Sequence, residues 1–129
     1  MMASIIQKIT DLFRAERRED RYAAYGNFPG KFSNKQGSPF SVMPIDISSR
    51  GIGLLIDPAP SVGEILSFSF VASEDMGPLH FRVIHVGRNS IRPVNSLEKM
   101  RRCGLEMLPE HSVDLISLMA SQDDFMVQE

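Results

Sequence analysis

Arg17 and Arg21 stand four apart in a charged run, and Asp46, Ser48 and Gly51 spell D-x-S-x-x-G inside an apolar stretch. Forked guanidinium donors suit phosphate oxygens and the acceptor edge of guanine. On an extended segment, a carboxylate and a hydroxyl two residues apart share one side, and they suit the donor edge of the same base. The set therefore complements a ligand that carries both phosphate and guanine. Taken singly, each pattern also fits ordinary surface chemistry: R-x-x-x-R is common in charge runs, and Asp and Ser often cap backbone N–H groups at a bend.

Other reactive residues form no comparable pattern. His80, His85 and His111 are scattered without metal-ligand spacing, so no metal site is expected. No nucleophile–base pair is visible, so no catalytic residue and no enzyme activity is expected. Cys103 alternates with apolar neighbours and reads as a small core residue. G-I-G at Gly51 to Gly53 is too short for a dinucleotide fingerprint; it lets a backbone pass closely or bend.

The chain has 129 residues, enough for one domain with one core, and its 43% hydrophobic and 23% charged residues are those of a globular protein. A net charge of −2 argues against a broad footprint for a nucleic acid polymer, while leaving room for a small anion held by a few arginines. A single cysteine rules out an internal disulfide and fits a reducing compartment. No apolar run approaches the roughly 20 residues of a membrane span, and no secretory leader is visible. A cytoplasmic location is the resulting expectation.

Three parts must position these residues. Residues 1–16 hold an amphipathic helix, since Ile5, Ile6, Ile9, Leu12 and Phe13 follow helical spacing. Arg14 to Arg21 is a poor helix because like charges recur at i,i+4, so it reads as a linker or frayed end that an anion could order. Residues 17–121 hold the main domain. Its clearest strands carry Phe40 to Ile47 (bent at Pro44), Ile52/Leu54/Ile56, Leu66/Phe68/Phe70, Leu79/Phe81/Val83 and Cys103/Leu105/Met107. A phase shift at Ile84 and Val86 marks a bulge, and 87–99 reads as a polar loop. A second amphipathic helix starts at Pro109 and ends near Ser121, and 122–129 reads as a ragged tail. Turns every 8–12 residues argue for a small antiparallel barrel.

With these motifs in order, the chain resembles the PilZ family of bacterial cyclic di-GMP receptors. R-x-x-x-R at Arg17 and Arg21 precedes D-x-S-x-x-G at Asp46, Ser48 and Gly51, while R-C-G-L-E-M-L from Arg102 to Leu108 looks like the family's closing strand. The resemblance spans Arg17 to Ser121. It implies a mainly β fold, a six-stranded antiparallel barrel with a C-terminal helix, and a leader that straps over the nucleotide; the N-terminal helix read from spacing precedes it. It also implies that Arg17 and Arg21 contact phosphate and the guanine Hoogsteen edge, that Asp46 and Ser48 meet the guanine, and that Gly51 leaves room for the turn. Arg14/Arg18 matches the same spacing, and Arg18 becomes a further contact. Arg50 replaces a residue that is often small in the family; it either adds a phosphate contact or points to water. The implied function is a cyclic di-GMP receptor without cofactors that signals to an unidentified protein effector. The alternative is a PilZ-like adaptor that does not bind the nucleotide.

Overall fold

The computed structural model describes residues 21–71, 74–94, 96–121 and 124–128. The expected helix in residues 1–16 and the arginines Arg14, Arg17 and Arg18 lie outside them. The chain is built on one antiparallel sheet: β1 (Tyr22–Gly26), β2 (Gly30–Ser33), β3 (Ser41–Ile47), β4 (Gly51–Asp57), β5 (Ile65–Phe70), β6 (Leu79–Ile91), β7 (Met100–Met107) and β8 (Phe125–Gln128). A 3-10 turn (Glu74–Met76) precedes β6, and one short helix, α1 (Leu115–Ala120), precedes β8.

The spatial order is β2-β5-β6-β7-β4-β3-β1-β8. β1 lies beside one edge of this sheet and β2 forms the other, yet only Asn27 to Pro29 separate them in sequence. So short a connector reaches no more than about 14 Å, which forces the sheet to curl and brings its edges close. Phe28 fills the seam, its ring centroid 5.2 Å from Phe32 on β2 and 5.4 Å from Phe125 on β8. The result is a half-barrel of eight strands, more than the six expected.

Period-two alternation decides which face is core. Ile52, Leu54 and Ile56 of β4, Leu66 and Phe68 of β5, Phe81 and Val83 of β6, and Cys103 and Leu105 of β7 all point inward and are buried. Phe32, Phe68 and Phe81 pack at its centre with ring separations of 4.7 and 5.8 Å. The bend at Pro44 appears as a register shift between Pro44 and Asp46 against β4. The bulge in β6 falls between Val83 and His85.

Three expectations need correction. The polar loop at 87–99 starts late, because β6 runs on to Ile91 and pairs with Met100. The second helix begins at Leu115, not Pro109. Asp114 is its N-cap, with Oδ1 accepting from the Ile116 N–H at 3.3 Å and Oδ2 from the Ser117 hydroxyl at 2.8 Å. The tail is not ragged at 125–128, since Phe125 to Gln128 pair with Gly26 to Ala23 on β1. The signal was a short alternation: Phe125 is buried and Val127 packs against the core.

Candidate functional site

D-x-S-x-x-G is the turn from β3 into β4. The Ser48 N–H donates to the Gly51 carbonyl at 2.9 Å, and the Gly51 N–H donates to Ser48 Oγ at 3.0 Å. The Ser48 hydroxyl also approaches the Gly51 carbonyl at 3.4 Å, and the residue is only 8% exposed. Ser48 thus closes the turn, the role that a serine at a bend supplies from its own local chemistry. Space is tight at Gly51. A Cβ there would stand 3.2 Å from Ser48 Oγ, 3.2 Å from the Leu105 carbonyl and 3.3 Å from Arg21 Nη1.

Asp46 faces the other way. Its Oδ1 accepts from Arg21 Nη2 at 2.7 Å, and its Oδ2 lies 3.9 Å from Arg102 Nη2. The Arg21 side chain is 35% exposed and that of Asp46 26%, so the pair is open to solvent and exchangeable. Of the arginines and motif residues named from sequence, Arg21, Asp46, Ser48 and Gly51 therefore meet at one corner. Arg17 and Arg18 fall outside the described residues.

The backbone around Asp46 explains why its carboxylate is presented. On the outer face of the sheet, Asp46 pairs with Gly53, Gly53 with Gly104, and Gly104 with His85. Two glycines in succession leave a strip without side chains across β4 and β7. The Asp46 carboxylate lies over Gly53, and a Cβ on Gly53 would collide with Asp46 Oδ1. The glycine that the sequence marks as a place of close approach is thus the seat of the acidic group. Arg102, cross-strand from Leu55, flanks this strip with its side chain 57% exposed. Sequence reasoning missed it as a site residue. Its only local sign was its place at the head of the closing-strand motif, and its approach to Asp46 follows from the β4–β7 register.

Arg50 goes elsewhere. Its Nη1 donates to the His111 carbonyl at 2.9 Å, and its Nη2 donates to the carbonyls of Leu108 at 2.8 Å and Met107 at 3.4 Å. Of the two roles considered for it, phosphate contact or pointing to water, the geometry shows neither. It clamps the segment that follows β7, helped by the Leu115 N–H bond to the Ser49 carbonyl at 2.9 Å. An open hollow of about 430 Å³ lies beside this clamp, lined by Arg50, Arg82, Glu106, Met107 and Pro109.

Beside the Arg50 clamp, His80, Glu110 and His111 hold three possible metal-ligand atoms within 4.8 Å of one another. His111 Nε2, however, accepts the His80 backbone N–H at 3.0 Å. The arrangement works as a fastening between β6 and the Leu108–His111 segment. On the core side of β7, burial pushes the Cys103 thiol up to about 12, which keeps it protonated and inert at neutral pH.

Comparison of the chain with protein-family models, with curated proteins and with solved structures gave no match.

Proposed function

We propose that the chain is a cyclic di-GMP receptor that signals to a protein effector. The Arg21–Asp46 pair at 2.7 Å, set beside a turn whose glycine leaves no side chain in the way, carries this reading. An exposed ion pair of this kind is worth about 0–1 kcal/mol, so opening it costs little. The nucleotide offers better partners to both halves. Guanine N1–H and N2–H₂ donate to the freed Asp46 carboxylate, while guanine N7 and O6 or a phosphate accept from Arg21. Each such charge-assisted bond contributes about 1.5–3 kcal/mol. Arg102 adds a second cation against the two phosphate charges. Arg17 and Arg18, a few residues upstream, close over the ligand as the strap that the PilZ resemblance implies. The ligand thereby selects the closed leader, and the closed leader is what an effector reads.

Ser48 holds the turn in this reading, and Arg50 holds the base of the turn to the C-terminal segment. The competing reading is a PilZ-like adaptor that does not use the nucleotide. It is favoured by the fact that the turn and the Arg21–Asp46 pair satisfy each other without any ligand.

Titration with cyclic di-GMP followed by amide NMR separates the two. The receptor reading expects shifts concentrated at Arg21, Asp46, Gly51, Gly53 and Arg102 in the wild type, and their loss in Asp46→Ala. Shifts that leave this corner untouched, or that persist unchanged in Asp46→Ala, would sink it.

A further inference from the structure

The far half of β6 and the start of β7 form a projecting ribbon. β5 pairs with β6 from Leu79 to Arg82, and from His85 to Ile91 β6 pairs, among the described residues, with β7 alone. Between Arg88 and Arg102 the sequence places five cations (Arg88, Arg92, Lys99, Arg101, Arg102) against the single acid Glu98, in a chain of net charge −2. That acid is exposed but engaged, its Oε1 accepting from the Ser41 hydroxyl at 3.1 Å. Two of the cations are engaged: Arg101 Nε donates to the Gly87 carbonyl at 2.7 Å, and Arg102 faces Asp46. Arg88, Arg92 and Lys99 are exposed, and among the described residues none of them has an ion-pair partner.

The tip of the ribbon is aliphatic. Val94 is 90% exposed and Leu97 93%, with Ile91 at 42% below them. Around them, the Ser96 N–H donates to the Pro93 carbonyl at 3.1 Å and the Glu98 N–H donates to Ser96 Oγ at 3.1 Å. An aliphatic tip above a collar of free cations matches the two demands of an anionic membrane surface: acyl chains accept the apolar side chains, and headgroup phosphates attract the cations. A single-stranded nucleic acid would use the same charges but would call for aromatic rings to stack its bases, and the segment from Arg88 to Arg102 has none.

We propose that this β6–β7 tip is a peripheral docking element for anionic lipid, with Val94 and Leu97 entering the interface and Arg88, Arg92 and Lys99 meeting the headgroups. The tip is tied to Ser41 at the start of β3, whereas the nucleotide corner begins at Asp46, five residues along the same strand and about 16 Å away. The two surfaces are therefore separable by mutation, and the lipid proposal does not rest on the nucleotide reading.

The test is flotation of the full chain with vesicles of phosphatidylcholine, alone or with roughly one-third phosphatidylglycerol. The expected result is co-flotation with the anionic vesicles that weakens as salt is raised, and none with the neutral ones. Arg92→Glu/Lys99→Glu should abolish it, and Leu97→Ser should reduce partitioning about tenfold. All these side chains are exposed, so the variants should melt like wild type and respond to cyclic di-GMP as wild type does. Absence of flotation, flotation indifferent to lipid charge, flotation unchanged in the variants, or binding to a single-stranded oligonucleotide without binding to vesicles would each overturn the proposal.

Discussion

Two arginines bracket the same turn and do opposite things. Arg21 enters β1 and donates to one half-exposed carboxylate, whereas Arg50 lies inside the turn and donates to three backbone carbonyls. The acceptor marks the difference. A carboxylate at the surface can be exchanged for a phosphate or a base edge at little cost, because the exposed pair is weak. The backbone carbonyls that Arg50 serves belong to one segment and are held at three points at once, so the guanidinium that serves them stays in place. An arginine near a ligand motif therefore reads as a binding group only once its resting acceptor is known.

Mutation should split the two cleanly. Arg50→Ala removes the guanidinium from the carbonyls of Met107, Leu108 and His111, of which Leu108 keeps the His111 N–H, and should lower unfolding free energy by about 1–3 kcal/mol in urea melts. It should leave cyclic di-GMP affinity within about twofold once the protein is folded. A large loss of affinity at unchanged stability would erase the distinction and return Arg50 to the ligand site. Arg21→Ala should behave in reverse, weakening nucleotide binding by about 1.5–3 kcal/mol while shifting stability by no more than about 1 kcal/mol.

Gly53→Ala sharpens the comparison further, because it touches Asp46 without changing any charge. The added methyl must push the Asp46 carboxylate aside, and that carboxylate is the free end of a side chain, so the fold absorbs the change. The expected outcome is a melting temperature near wild type with roughly tenfold weaker nucleotide binding, a loss of about 1.4 kcal/mol by calorimetry. Equal loss of stability and of affinity would instead make Gly53 a folding residue.

The opposite face of β7 offers a test by pH instead, through Cys103, which points into the core. Its folded thiol titrates at about 12, against 9.0 without burial. Above pH about 9 the unfolded chain releases that proton while the folded chain keeps it, so burial of the thiol contributes stability below pH 9 that is lost as pH rises toward about 12. Denaturant melts across that window should fall more steeply for wild type than for Cys103→Ala. In the native state at pH 8 the thiol should also resist alkylating reagents, and react once the chain unfolds.

Much of this was legible before any coordinates. The alternation in β4, β5 and β7 named the core face, and Pro44 and the phase shift at Ile84 marked the irregularities in β3 and β6. D-x-S-x-x-G was legible as a turn, since Ser48 and Gly51 satisfy each other locally. What depends on register was not legible. Arg102 reaches Asp46 only because β7 pairs with β4, and Gly53 seats the carboxylate only because it pairs across from it. Arg50 was misjudged for the same reason, as its acceptors lie nearly sixty residues downstream. The strand at Phe125 was overlooked because four residues next to a chain end carry too little periodicity to distinguish pairing from fraying.

Isothermal calorimetry of the intact chain with cyclic di-GMP tests the central claim most directly. The account predicts a saturable heat in the wild type and its near disappearance in Arg21→Ala, with both proteins equally folded. No heat from the folded wild type, or the same heat from both proteins, would contradict it.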